Sequence, residues 1–163
     1  MEAAVEVGHE APRFTLPDTE FRPFPLKAYL GRPVLLAFFP AAFSPVCTAE
    51  LSELQRRLPG LEVVRVQVAG ISVDGPYALR AFAEAHGITF PLLSDFHRDT
   101  IRAYGVEDSN FLGLRDVARR ALFLIDAAGV VRYRWIAERP RNRPDYDELV
   151  RAVQALKEQS ANR

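Results

Sequence analysis

The run Val34-Leu35-Leu36-Ala37-Phe38-Phe39-Pro40-Ala41-Ala42-Phe43-Ser44-Pro45-Val46-Cys47 decides how this chain is read. Residues 34–39 are continuously apolar, the composition of a strand buried on both faces of a sheet. Pro40 then removes a backbone N–H and ends the strand. Ser44 is a favoured helix N-cap and Pro45 a favoured first helical residue, so a helix opens here with Cys47 at its third position. There, unsatisfied backbone N–H groups and the positive end of the helix dipole favour a thiolate over a thiol. A lone cysteine is ordinarily a small buried hydrophobe. Cys47, the only cysteine in the chain, stands where a strand turns into a helix and reads as a nucleophile.

Outward from this run, strand and helix signals alternate, the pattern of an α/β layer fold. Residues 14–16 and the proline-rich stretch to Pro25 read as short edge strands and turns. The helix from Ser44 carries Val46, Leu51, Leu54 and Leu58 at helical spacing, and Pro59-Gly60 is expected to stop it. Residues 63–68 read as a strand with partial alternation. Residues 76–86 are amphipathic, with Leu79, Phe82 and Ala83 on one face and Gly87 as the stop. A short strand is expected at 90–93 and a turn or two of helix at 100–104. Residues 121–125 and 130–135 form a hairpin around Asp126-Ala127-Ala128-Gly129. The arginine- and proline-rich segment 137–144 reads as an exposed loop, and 145–157 as a closing helix.

Composition narrows the functions available. A length of 163 residues suits one domain, 1–163, with a sizeable core. The 21 basic and 21 acidic side chains balance to +0, so no basic excess points to nucleic acid or to a lipid surface. One cysteine excludes an intramolecular disulfide. The N-terminal MEAAVEVGHE lacks a basic and an apolar leader region, and the longest apolar run, 34–39, is far too short to span a membrane. A soluble cytoplasmic protein is the expectation. His9, His86 and His97 are scattered, without metal-ligand spacing, and no glycine-rich phosphate loop, haem or flavin signature is present. Neither a metal nor a cofactor is therefore expected.

Pro40-x-x-x-Ser44-x-x-Cys47 resembles the active-site signature of peroxiredoxins: proline, three residues, threonine or serine, two residues, cysteine. The likeness runs through most of the chain. LKAYLGRPVLLAFFP (26–40) is similar to the family's lead-in strand, and FPLLSDFHRDTIRAYGV (90–106) to its segment joining a strand to a short helix. RALFLIDAAGVV (120–131) is similar to its arginine-bearing hairpin. Within the family, the single cysteine and FPLLSDF most resemble one-cysteine enzymes of the alkyl hydroperoxide reductase E type, with the bacterioferritin comigratory protein type as second choice. The resemblance implies a thioredoxin-like fold in its peroxiredoxin variant, with a central mixed β-sheet flanked by helices.

It also implies a chemistry. Reducing a peroxide requires a thiolate to attack one oxygen while the other leaves with negative charge, so hydrogen-bond donors must meet the breaking O–O group. Cys47 is the attacking sulfur. Ser44, one turn earlier, caps the helix and offers its hydroxyl to the peroxide, and in the family the proline, here Pro40, shields the sulfur from water. A fixed cation completes such a site. Successive strand residues point to opposite faces, so only one of Arg119 and Arg120 can aim at the sulfur. The family pattern sets its arginine three residues before the strand phenylalanine, here Phe123, which selects Arg120. Glu50, one turn after Cys47, either orients that guanidinium or is a plain surface charge.

Some peroxiredoxins carry a second cysteine five residues after the first, where this chain has Ser52. The sulfenic acid formed at Cys47 must then be reduced by an outside thiol, either a small molecule or a redoxin-type protein. Phe38, Phe39, Ala41, Ala42, Phe43 and Val46 suggest an apolar pocket open to alkyl hydroperoxides as well as hydrogen peroxide and peroxynitrite. Family members commonly dimerise close to the active site, which makes Phe43 a candidate contact of a homodimer. Two other readings use the same residues: a peroxide sensor or redox adaptor passing oxidation to a partner protein, and a non-catalytic thioredoxin-like interaction domain.

Overall fold

A computed structural model describes residues 4–161; residues 1–3 of the MEAAVEVGHE segment, and 162–163, lie outside it. Two short strands, β1 (Thr15–Pro17) and β2 (Pro23–Pro25), pair antiparallel and lead into a one-turn helix, α1 (Leu26–Tyr29). Then come β3 (Val34–Phe38), α2 (Pro45–Val63), β4 (Gln67–Ser72), α3 (Pro76–His86), β5 (Leu92–Ser94) and α4 (Asp99–Ala103). A small ribbon of β6 (Glu107–Asp108) and β7 (Val117–Ala118) precedes the hairpin of β8 (Ala121–Ile125) and β9 (Val131–Ile136), and α5 (Tyr146–Ala161) follows.

The main sheet has the order β5-β4-β3-β8-β9. Strand β3 lies at its centre, parallel to β4 and antiparallel to β8. That position explains its unbroken apolar run, because all five residues are buried and their side chains alternate between two cores. Leu35 and Ala37, with Phe39 just beyond, face the core built by α2, α3 and α5, where Cys47 also sits. Val34, Leu36 and Phe38 face the core made with α4 and the β1–β2 hairpin. This is the mixed α/β arrangement expected, with helices on both faces.

Two expectations about element ends are corrected. Helix α2 does not stop at Pro59-Gly60 but runs one turn further, to Val63, with Pro59 inside it. Proline in a helix interior forfeits one backbone hydrogen bond. The extra turn seats Leu61, 4% exposed, in the same core as Leu58 and Val66. The strand expected at 63–68 begins only at Gln67, because Arg65 takes a left-handed turn (φ 62°) that leads from helix to strand. The residues of β4 then continue through Ala69-Gly70-Ile71, all buried.

Candidate active site

Strand β3 and helix α2 are joined by residues 39–44, and this loop sets the position of the sulfur. The amide of Phe39 still bonds to the carbonyl of Ile71 (3.0 Å), after which Pro40 ends the ladder. Ser44 has the extended backbone of an N-cap (φ −68°, ψ 146°), Pro45 is the first helical residue, and Cys47 falls in the first turn, 0% exposed. One expectation fails here: the Ser44 side chain makes no capping hydrogen bond. The Ser44 carbonyl accepts the first intrahelical bond, from the Thr48 amide (2.9 Å), and the Thr48 hydroxyl as well (2.8 Å). The Ser44 hydroxyl is left enclosed and without a hydrogen-bond partner.

The cation comes from the edge of β8. Arg120 is only 2% exposed, and its Nη1 donates to Cys47 Sγ at 3.1 Å and to Glu50 Oε2 at 3.0 Å. Its Nη2 donates to the Pro140 carbonyl at 3.1 Å, so the loop after β9 is tied to the same guanidinium. Glu50 is fully buried, one turn beyond Cys47, and is no surface charge. Burial is the dominant influence on its carboxyl and pushes its pKa up to about 7, against the pull of the Arg120 charge. For Arg120, burial works against the charge, but the Cys47 sulfur and the Glu50 carboxylate more than offset it and hold the pKa above the usual arginine value. Glu50 Oε1 and Arg120 Nε have no partner. Nearby, the enclosed Tyr146 hydroxyl at the start of α5 is pushed up to about 12, first by burial and then by the Glu50 charge.

A cleft of about 20 Å³ reaches this corner, lined by Pro40, Arg120, Phe111, Arg119, Arg139 and Pro140 among others. Pro40, Cys47, Glu50 and Arg120 are thus gathered in one place, with Ser44 opening the same helix. The apolar wall differs from expectation. Phe38 and Phe39 lie in opposite cores, because adjacent strand residues face opposite ways, and neither lines the cleft. Phe111, from the β6–β7 connection, lines it instead. Phe111 and the Pro140 carbonyl escaped the sequence reading: the first sits in a segment without periodicity, and the second is a backbone atom with no residue signature. Among the described residues, no group of three or more His, Cys, Asp or Glu side chains is arranged to hold a metal ion, and no helix is long and apolar enough to cross a membrane.

A central mixed sheet flanked by helices, with a buried cysteine at the start of the helix after its central strand, sets the chain among thioredoxin-like proteins. The AhpC/TSA family profile matches residues 7–134, so the chain belongs to that family. Alkyl hydroperoxide reductase E of Mycobacterium tuberculosis is 39% identical over 132 residues, 79% of this chain and 84% of that protein. Peroxiredoxin Bcp of Escherichia coli is 36% identical over 131 residues, again 79% and 84% of the two chains. Among solved structures, peroxidoxin BcpB from Mycobacterium tuberculosis matches with a TM-score of 0.82 at 30% identity, over 92% of this chain and 97% of its own. A peroxiredoxin-like protein from Aquifex aeolicus matches with a TM-score of 0.86 at 26% identity, over 95% and 90%.

Proposed function

We propose that Cys47 is the nucleophile of a one-cysteine peroxidase cycle. The family relation makes the chain a thiol-dependent peroxidase, and a single cysteine fits a cycle closed from outside. In the first half, the Cys47 thiolate attacks one peroxide oxygen. An S–O bond forms, the O–O bond breaks, and the departing oxygen takes a proton to leave as water or an alcohol, with Cys47 as sulfenic acid. In the second half, an external thiol attacks that sulfur and expels water. A second thiol then resolves the mixed disulfide and returns Cys47 to its reduced form.

The observation that carries this reading is the single Nη1 of Arg120, which donates to the sulfur and to Glu50 at once. A guanidinium held there supports negative charge on sulfur before attack, and on the leaving oxygen during it. Glu50 orients that guanidinium. The unpartnered Ser44 hydroxyl is free to donate to the incoming peroxide, and Pro40 excludes water from the sulfur. Hydrogen peroxide and alkyl hydroperoxides are the substrates, with peroxynitrite as a further oxidant. The reductant is a small thiol or a redoxin-type protein. A cytoplasmic setting suits a cycle that starts from a free thiol. The enzyme works as a homodimer, with the exposed Phe43 ring at the subunit contact. Cys47→Ser should abolish peroxide consumption while circular dichroism stays unchanged; consumption retained in that variant would rule the assignment out.

A further inference from the structure

The loop that delivers Cys47 is held by a carboxylate outside the thiol–arginine cluster. Just past β4, Asp74 Oδ2 accepts the Ala42 backbone N–H at 2.8 Å and the Ser72 hydroxyl at 2.7 Å. The Asp74 amide bonds to Ser72 Oγ (3.2 Å), and its carbonyl accepts the Ser94 hydroxyl at 2.6 Å. Ser72 and Ser94 are both buried and sit opposite each other at the ends of parallel β4 and β5. Asp74 is therefore fixed from both of its neighbouring strands, and the 39–44 loop hangs on it. That loop is also strained, since Phe43 holds a left-handed backbone (φ 69°) that a bulky L-residue rarely adopts. Its exposed ring leans edge-on against Phe82 at 5.2 Å between centroids. A strained turn persists only where its surroundings over-determine it, and Asp74 supplies a charge-assisted hydrogen bond to the turn.

We infer that Asp74 is a positioning residue that latches the Cys47 loop in its closed, peroxide-reactive form, and that releasing the latch exposes the sulfur to external thiols. The inference rests on the reading of Cys47 as the reacting thiol. It follows from a conflict in the site: Cys47 is 0% exposed beside Arg120, yet a one-cysteine cycle must bring a bulky thiol onto the same sulfur. Beyond the Phe39–Ile71 ladder bond, the Ala42–Asp74 bond ties the middle of this loop to the end of β4, so it opposes that exposure. Weakening it should move the two half-reactions in opposite directions.

The test uses the full chain, reduced, as wild type, Asp74→Ala and Asp74→Asn. Two constants are measured: oxidation by hydrogen peroxide, and the reaction of reduced Cys47 with the bulky disulfide reagent dithiobis(nitrobenzoate). Asp74→Ala should slow the first by about tenfold, the size of one hydrogen bond to a charged group. It should speed the second several-fold. Asp74→Asn keeps an oxygen that can accept from Ala42 and Ser72, and should restore both constants to near wild type. Both constants unchanged in Asp74→Ala, or Asp74→Asn as impaired as Asp74→Ala, would overturn the latch. If Asp74→Ala fails to fold, Ser72→Ala carries the test, because it removes only the hydroxyl that steadies the carboxylate. A smaller shift in the same two directions supports the latch, and no shift overturns it. A wild-type protein that reacts with peroxide no faster than a free thiol would instead overturn the peroxidase reading, whatever the variants do.

Discussion

Glu50 is the residue whose chemistry is most altered by its surroundings, and pH should expose it. Its carboxyl ionises near the usual value of 4.5 when the chain is unfolded, and near about 7 when buried beside Arg120. Below pH 4.5 both forms hold the proton. Between 4.5 and 7 the unfolded chain ionises first, so folding stability falls as pH rises, by about 3 kcal/mol in all, and is level above 7. Glu50→Gln removes this dependence. Its unfolding free energy, followed by denaturant titration from pH 4 to 8, should gain on wild type across that window; a constant gap would show that Glu50 ionises alike in the folded and unfolded chain. At this scale the sequence was informative where neighbours in the chain are neighbours in space. Ser44 and Pro45 announced a helix start, which put Cys47 in its first turn and Glu50 one turn on. It said nothing of Asp74, which holds the 39–44 loop, nor of Phe111 and the Pro140 carbonyl, which reach the Arg120 corner through tertiary folding. Nor could spacing show that the Ser44 hydroxyl would leave its cap unmade.

Among the elements, those with one strong periodic signal were legible and those decided by packing were not. Strand β3, helix α3 with its left-handed Gly87 (φ 64°), and the β8–β9 hairpin all lie within a residue or two of expectation. The overrun of α2 and the delayed start of β4 reverse local propensity. The β-branched Val63, Val64 and Val66 favoured a strand, yet β4 is set by its parallel register on β3, Val34 opposite Gln67. Gly70 shows how tightly that strand is packed. A methyl group there would stand 2.7 Å from Leu92 Cδ2 and 3.3 Å from Phe39 Cε1, both in buried side chains. Gly70→Ala should therefore destabilise the fold by about 1–3 kcal/mol, measured by denaturant unfolding. A variant as stable as wild type would mean that β5 and Phe39 yield without strain. The small β6–β7 ribbon, two residues per strand, carries too little pattern to be read from sequence.

For the whole molecule, the two cores on either face of one sheet leave an aromatic of the 39–44 loop exposed. Phe43 is 52% exposed at a strained backbone position, an arrangement suited to burial against a second copy. Sedimentation velocity should show a dimer for wild type and a monomer, or a dimer at least tenfold weaker, for Phe43→Lys, since a buried unpaired ammonium is strongly unfavourable. An unchanged distribution would place the subunit contact elsewhere. In the proposed cycle Cys47, under Arg120, is the thiolate that attacks peroxide. Its most direct test is stopped-flow oxidation of the reduced protein by hydrogen peroxide, followed by intact mass after a sulfenic-acid trap, in wild type and Arg120→Ala. Fast second-order oxidation, one trapped sulfenate at Cys47, and a loss of about 10²-fold on removing the guanidinium are expected. Oxidation of wild type no faster than a free thiol, or an Arg120→Ala variant as fast as wild type, would contradict it.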